Sequence, residues 1–360
     1  MKNILFATFA AAAIASSASA QVNYATAPTI AQVLTEAQIS TGTGTTLSNI
    51  DARALGVDSL GRLYFYTTEA ADATGRLVRV DLAGPTFTTI ATQAELLAVM
   101  NAGDASPATA VQNSGLIVLS DNRIVMSTFS GTDDILLVTP GTPSTITALV
   151  ANTDGVAGIE VNAAQTEVIF LTETGFGGDD AIKSVPLSGG TVTTLANTAA
   201  ITTAAGGTGL GSSGSGITST GNLLFWNEGG FGGNENIVQL SGTTVTALGT
   251  ITNGDFDEIT VAADDAIIGW NEGGSLGDGV FVYPTPYNFA SPLITTEAAI
   301  NTALGTTGDR ESANSGSAAY KPNANTTIYY VADENGAGIF SLTYTGSPVS
   351  NVESWNLYSY

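Results

Sequence analysis

An all-β repeat fold is predicted by three observations. One phrase returns at the end of successive apolar runs: Leu-Leu-Phe-Trp-Asn-Glu-Gly-Gly at 223–230, Ile-Ile-Gly-Trp-Asn-Glu-Gly-Gly at 267–274 and Val-Ile-Phe-Leu-Thr-Glu-Thr-Gly at 168–175, with a fainter copy, Ile-Tyr-Tyr-Val-Ala-Asp-Glu-Asn-Gly, at 328–336. Short β-rich runs separated by Gly, Asn, Asp and Thr dominate from residue 54 onward. The runs also group into six similar units, whose second strands start near Arg62, Arg123, Glu167, Asn222, Ala266 and Thr327, at spacings of 61, 44, 55, 44 and 61 residues. Four antiparallel strands in a unit of this size form the blade of a β-propeller. The predicted class is therefore all-β: a six-bladed propeller of four-stranded antiparallel blades over residues 51–360, with short helical inserts between some blades.

The elements follow in chain order. Residues 1–20 begin Met-Lys-Asn, run apolar through Ile4–Ile14 and reach Ala18-Ser19-Ala20 before Gln21, the pattern of a secretory signal peptide cleaved after Ala20. The expected location is extracellular or periplasmic, with a bacterial-type leader. The run is too short to span a bilayer, and no later stretch approaches 18 uncharged apolar residues. Residues 21–50 form an N-terminal segment in which Thr29–Ile39 reads as a short helix.

Within each unit a first strand closes in a polar tight turn, as in Leu116–Leu119 before Ser-Asp-Asn and Ile159–Val161 before Asn-Ala-Ala-Gln. Two further runs follow each second strand, such as Ala181–Pro186 and Thr191–Leu195. The extra length of the long units lies between blades. Inserts beginning at Thr92 and Thr296 read as helices, each with a threonine at the N-cap position before good helix formers. The third insert, 196–213, ends in a Gly/Ser-rich tract and reads as an irregular loop. At the far end Trp355, Tyr358 and Tyr360 read as part of the last blade's outer strand, covering an edge that otherwise invites pairing.

Composition narrows the chemistry. Nine basic residues stand against 32 acidic ones, a formal net charge of −23. Such a surface disfavours nucleic acid and anionic lipid and suits divalent cations. There is no cysteine and no histidine. Disulfides, Ser-His and Cys-His dyads and imidazole zinc sites are excluded. Only a metal or carboxylate mechanism remains available to an enzyme, and the composition leans away from one.

Three groups of residues are candidates for function. The acids that end the second strands are Glu173, Glu228, Glu272 and Asp333, with Glu69 one position late in the first unit and Phe129 in the second. They either face a ligand or accept bonds from the N–H groups of the adjoining glycine turns. Asp179, Asp180, Asn234, Glu235 and Asp278 in the loops that follow add hard oxygen donors for isolated Ca2+ sites. At the channel mouth, aligning first strands brings together Asp51, Asn113 with Ser114, Asp154, Ser215, Asp255 with Asp257 and Glu258, and Asn314 with Ser315. Trp226 and Trp270 occupy equivalent positions and either stack on a sugar or pack between blades.

By this strand pattern, over about residues 50–360, the chain resembles the broad group of six-bladed propellers that includes NHL-repeat, TolB-like and SMP-30/gluconolactonase-like proteins. The resemblance to the last of these implies a divalent metal held at the channel mouth by an acid, two amides and an aspartate. A similar set is available from Asp154, Asn113, Asn314 and Asp257 or Glu258.

The expected function is a secreted binding or scaffold module whose ligand is a protein, a glycan or a small molecule. No nucleic acid and no membrane span are expected, and Ca2+ is the one cofactor the residues suggest. The alternatives are a divalent-metal-dependent hydrolase of the lactonase or phosphotriesterase type, with Asp257 as base or nucleophile, and a structural surface or matrix component. Blade-to-blade crossings and the loops between second and third strands should share one face, since strands alternate in direction. That face is the expected functional surface.

Overall fold

The computed structural model describes residues 22–45, 54–67, 74–102, 108–128, 133–153, 155–172, 181–205, 214–227, 234–252, 254, 256–273, 276–310, 312–333 and 338–346. Strand β1 (Thr29–Leu34) and helix α1 (Glu36–Thr43) come first. Blade one holds β2 (Leu55–Val57), β3 (Leu63–Thr67), β4 (Arg76–Asp81) and β5 (Thr86–Thr92), and α2 (Gln93–Met100) follows it. Blade two holds β6 (Asn113–Val118), β7 (Ile124–Thr128), β8 (Asp133–Thr139) and β9 (Thr145–Thr153). Blade three is β10 (Val156–Val161), β11 (Glu167–Thr172), β12 (Ala181–Pro186) and β13 (Thr193–Asn197), followed by α3 (Thr198–Ala205). Blade four is β14 (Ser215–Ile217), β15 (Leu223–Asn227), β16 (Glu235–Ser241) and β17 (Thr244–Ile251). Blade five is β18 (Phe256–Val261), β19 (Ile267–Asn271), β20 (Gly279–Tyr283) and β21 (Leu293–Thr296), followed by α4 (Glu297–Leu304). Blade six takes β22 (Ser312–Asn323), β23 (Thr326–Asp333) and β24 (Gly338–Thr345).

Each blade is a four-stranded antiparallel sheet, and every second strand begins within a residue of its expected start. Inner strands meet in sequence: β2 touches β6, β6 touches β10, and so on through β18 and β22 back to β2. The six sheets thus form a closed ring, a six-bladed β-propeller.

The ring closes differently from the sequence expectation. Blade six takes its outermost strand from the N-terminus: β1 pairs antiparallel with β24, from Thr29 opposite Thr343 to Leu34 opposite Ile339. That edge of β24 accepts one partner, so the expected place of Trp355, Tyr358 and Tyr360 is taken. Those three residues lie outside the described residues. Thr29–Ile39 is therefore not one helix. The helix starts only after Thr35, whose side chain and the Gln38 side chain form a reciprocal capping box, with Thr35 N–H donating to Gln38 Oε1 at 2.9 Å. Upstream of that box, Ile30 and Val33 extend along the sheet edge, and Leu34 is fully buried.

The inserts are wedges. Each helix follows an outer strand and packs against the outer region of the next blade: α1 against β5, α2 against β9, α3 against β17, α4 against β1. The fourth helical residue is apolar and buried in all four: Ile39, Leu96, Ile201 and Ile300. The third insert is thus a helix over Thr198–Ala205 rather than an irregular loop. Asn197 Oδ1 caps it by accepting from Ala200 N–H at 3.0 Å.

At the hub, small residues let neighbouring strands approach. A Cβ on Gly216 would lie 2.4 Å from Val261 Cγ2 and 2.7 Å from the Val261 amide nitrogen, and one on Gly115 would lie 2.7 Å from Ile159 Cγ1. Gly216→Ala should therefore destabilise the fold by about 1–3 kcal/mol through overpacking, lowering the urea midpoint without changing the slope. A variant with the parent midpoint would show that the hub is looser than this packing. Trp226 and Trp270 fill the wedges between blades. Trp226 meets Phe256 edge-on at 6.5 Å and Trp270 meets Phe340 at 6.2 Å, which is the packing reading of the two.

Candidate functional site

Hydrogen bonds place the helices and the loops between second and third strands on one face. Gln93 N–H donates to Gly75 O at 2.8 Å in blade one, and Glu297 N–H donates to Asp278 O at 2.9 Å in blade five. On this face, where blade five hands over to blade six, Asp278, Glu297 and Asp309 bring a carboxylate oxygen each within 4.8 Å of one another.

Local structure fixes two of the three. Asp278 Oδ1 accepts from Gly273 N–H across its own loop, and Asn271 Nδ2 ties the same loop by donating to the carbonyls of Gly273 and Gly277, both at 2.9 Å. Glu297 opens α4, where the helix dipole favours a negative charge. Its Oε1 accepts from Arg310 N–H at 2.8 Å and from Asn301 Nδ2 at 3.3 Å. Asp278 Oδ2 and Glu297 Oε2 accept no hydrogen bond among the described residues. Asp309 is exposed. Three mutually repelling carboxylates, two of them held by one oxygen each, present hard donors to a cation.

Behind the cluster stands a buried ion pair. Arg310 and Asp333 have side-chain exposures of 4% and 2%. Arg310 Nη1 donates to Asp333 Oδ2, Nη2 to Thr306 Oγ1, and Nε to Asn301 Oδ1 at 2.6 Å, while the guanidinium lies 5.5 Å from the centre of the Phe340 ring. The Asp333 carboxylate thus anchors the connection after α4 to the second strand of blade six.

The central channel is a second concave feature, a cavity of about 210 Å³ walled by the inner strands of all six blades. Glu160 and Glu258 both line it. Glu258 is buried, accepting from Ser317 N–H at 3.2 Å and from the Tyr329 hydroxyl at 3.5 Å. Glu160 Oε1 accepts from Ser215 Oγ at 3.3 Å. At the start of β6, Asn113 is fully buried; its Oδ1 accepts from Gly115 N–H at 3.2 Å, and its Nδ2 has no partner among the described residues.

The sequence candidates divide accordingly. Asp278 joins the cluster, and Asp333 is committed to Arg310. Glu272 lies half-buried at the end of β19, and Glu235 is buried at the start of β16 rather than placed in an open loop. Of the channel set, Ser114, Ser215 and Glu258 line the cavity, and Asn113 is buried at the start of β6 outside that lining. Asp51, Glu69, Asp154, Glu173, Asp179, Asp180, Glu228 and Asp255 lie outside the described residues, as do the side chains of Asp257 and Asn314. Glu160, Glu297 and Asp309 escaped the sequence reading. Glu160 carried one signal, an acid inside an otherwise apolar first strand. Glu297 and Asp309 are separated from Asp278 by 19 and 31 positions, so only the fold unites them.

No protein-family model matches the chain, and no curated protein matches it. Solved propellers do. A gluconolactonase from Xanthomonas campestris aligns with TM-score 0.50 at 9% identity, over 88% of this chain and 96% of that one. A luciferin-regenerating enzyme aligns with TM-score 0.52 at 11% identity, over 89% and 95%. TolB from Acinetobacter baumannii aligns with TM-score 0.47 at 15% identity, over 81% of this chain, which spans 65% of the TolB chain. At these identities the likeness is one of fold. Among the described residues no helix is long and apolar enough to cross a membrane.

Proposed function

We propose that the chain is a secreted propeller that works as a binding module on its helix-bearing face, with Ca2+ seated between Asp278, Glu297 and Asp309. The convergence of those three carboxylates carries the reading. A cation there would tie the blade-five loop to α4 and to the connection entering blade six, and so stiffen the face that meets a protein, glycan or small-molecule partner. All the donors are oxygen, in a chain with no histidine or cysteine and a net charge of −23.

A hydrolase at the channel mouth is the weaker reading. Glu258, one acid offered for its metal, already accepts from Ser317 and Tyr329, which suits holding blades five and six together more than ligating an ion.

Thermal unfolding with calcium and with a chelator tests the proposal. A ligand that binds only the folded state stabilises it by about 2.7 kcal/mol at a hundredfold excess over Kd. The melting temperature should rise by several degrees with calcium, and Glu297→Gln should remove most of that rise while leaving the melt in chelator near that of the parent. An equal calcium response in the parent and in Glu297→Gln would refute the site.

A further inference from the structure

One apolar groove in the ring has no cover among the described residues. It runs between the segment entering β1 and the outer strand of blade five, a cavity of about 200 Å³. Tyr24, Val282 and Tyr344 are its buried lining, and Leu293, Ile294 and residues 25–28 its more open sides. The Tyr24 hydroxyl reaches Asp264 in the turn between β18 and β19, which puts the groove at the end of the ring opposite the helices. No insert helix precedes blade five, where β17 ends at Ile251 and β18 begins at Phe256. Its outer strand β21 thus lacks the wedge that α1, α2, α3 and α4 give to β5, β9, β17 and β1. Ile294 on β21 is 43% exposed, and among the described residues only Leu60 and Val192 are other large apolar side chains so open.

The chemistry and position of residues 347–360 match this groove. Tyr344 lines it, and Gly346 N–H donates to Asn325 O at 2.7 Å, so the segment starts beside it. The segment reads Ser-Pro-Val-Ser-Asn-Val-Glu-Ser-Trp-Asn-Leu-Tyr-Ser-Tyr, with one charged side chain and three aromatic ones. No residue lining the groove is charged, in a chain of net charge −23. An apolar cavity of about 150 Å³ holds benzene, so this one has room for an indole. Eight residues separate Gly346 from Trp355, a reach of about 30 Å. A tether of that length sets an effective concentration on the order of millimolar. A second copy, repelled by the same acidic surface, competes poorly with it.

We infer that residues 347–360 fold back into this groove, with Trp355 seated against Ile294. The seam of the ring then has two fastenings: β1 paired on β24, and the 347–360 segment laid over the approach to β1.

Acrylamide quenching of tryptophan fluorescence in the intact chain tests this. Trp355 is read as the difference between the parent and Trp355→Phe, since Trp226 and Trp270 are buried. A group seated in a pocket loses about 70–90% of its surface, so Trp355 should be quenched about threefold or more weakly than in a synthetic peptide of residues 347–360. Ile294→Asp should bring Trp355 to the peptide's value, and so should Ala27→Glu across the groove. Leu60→Asp, outside the groove, should leave it shielded. Far-UV circular dichroism of the groove variants should match the parent's, which separates an emptied groove from a lost fold. Quenching in the parent equal to the peptide's, or shielding that survives both groove variants, overturns the inference. So does shielding that appears only as protein concentration rises, which would assign the groove to a second copy.

Discussion

A chain shortened to begin at Thr35 should lose its cooperative unfolding transition or show it at a far lower urea midpoint. The deletion strips β1 from β24 and exposes a sheet edge in blade six. It also removes Val22, Tyr24 and Leu34, each 6% exposed or less, and with them the Tyr24 hydroxyl bonds to Asp264 at 2.9 Å and Thr327 at 3.2 Å. Burial of three large apolar side chains is worth roughly 5–8 kcal/mol, which is most of the stability of an ordinary domain. A synthetic peptide of residues 22–34 added in trans should restore part of the transition, because the vacated edge is preformed. A shortened chain that melts like the parent would show that the ring is held shut by something other than β1.

The second large effect is expected at Arg310. Arg310→Met leaves the Asp333 carboxylate buried without its guanidinium and should cost about 3–5 kcal/mol, read from chemical denaturation. Converting Asp333 to leucine in the same chain should recover at least half of the loss, since a buried ion pair contributes little net stability over a well-packed apolar pair. The double variant separates an unpaired charge from a merely missing side chain. If it is no better than Arg310→Met, the loss lies in the bonds to Asn301 and Thr306 and in the packing on Phe340.

The blades were legible because strand and turn chemistry repeat locally. The second strands of blades three, four and five all end in Thr or Asn followed by Glu, and each second strand was found within a residue of its expected start. Two of the inserts were legible through Thr92 and Thr296, since an N-cap threonine carries its own signature. The third was masked by the Gly/Ser-rich tract that follows it, although Ile201 plays the same buried role as Leu96 and Ile300. The closure was not legible, because the partner of β1 lies some 310 positions away at β24 and nothing local in Thr29–Leu34 excludes a helix. Only the box at Thr35 and Gln38 marks where the helix starts.

The candidate site is dispersed along the sequence for the same reason. The repeated acid drew attention, yet in blade five the residue that ties the loop is its predecessor, Asn271. Thr67, Thr128 and Thr172 are buried at the equivalent position in blades one to three, and Thr128 Oγ1 accepts from Asp134 N–H at 3.1 Å. The recurring phrase is thus largely loop architecture. Asp278 owes its proposed role to Glu297 and Asp309, whose nearness depends on where α4 docks.

A crystal structure of the calcium-soaked protein tests the central claim most directly. An ion should appear between Asp278, Glu297 and Asp309, with oxygen ligands at about 2.3–2.6 Å. Three hydrated carboxylates with no ion between them at saturating calcium would contradict it.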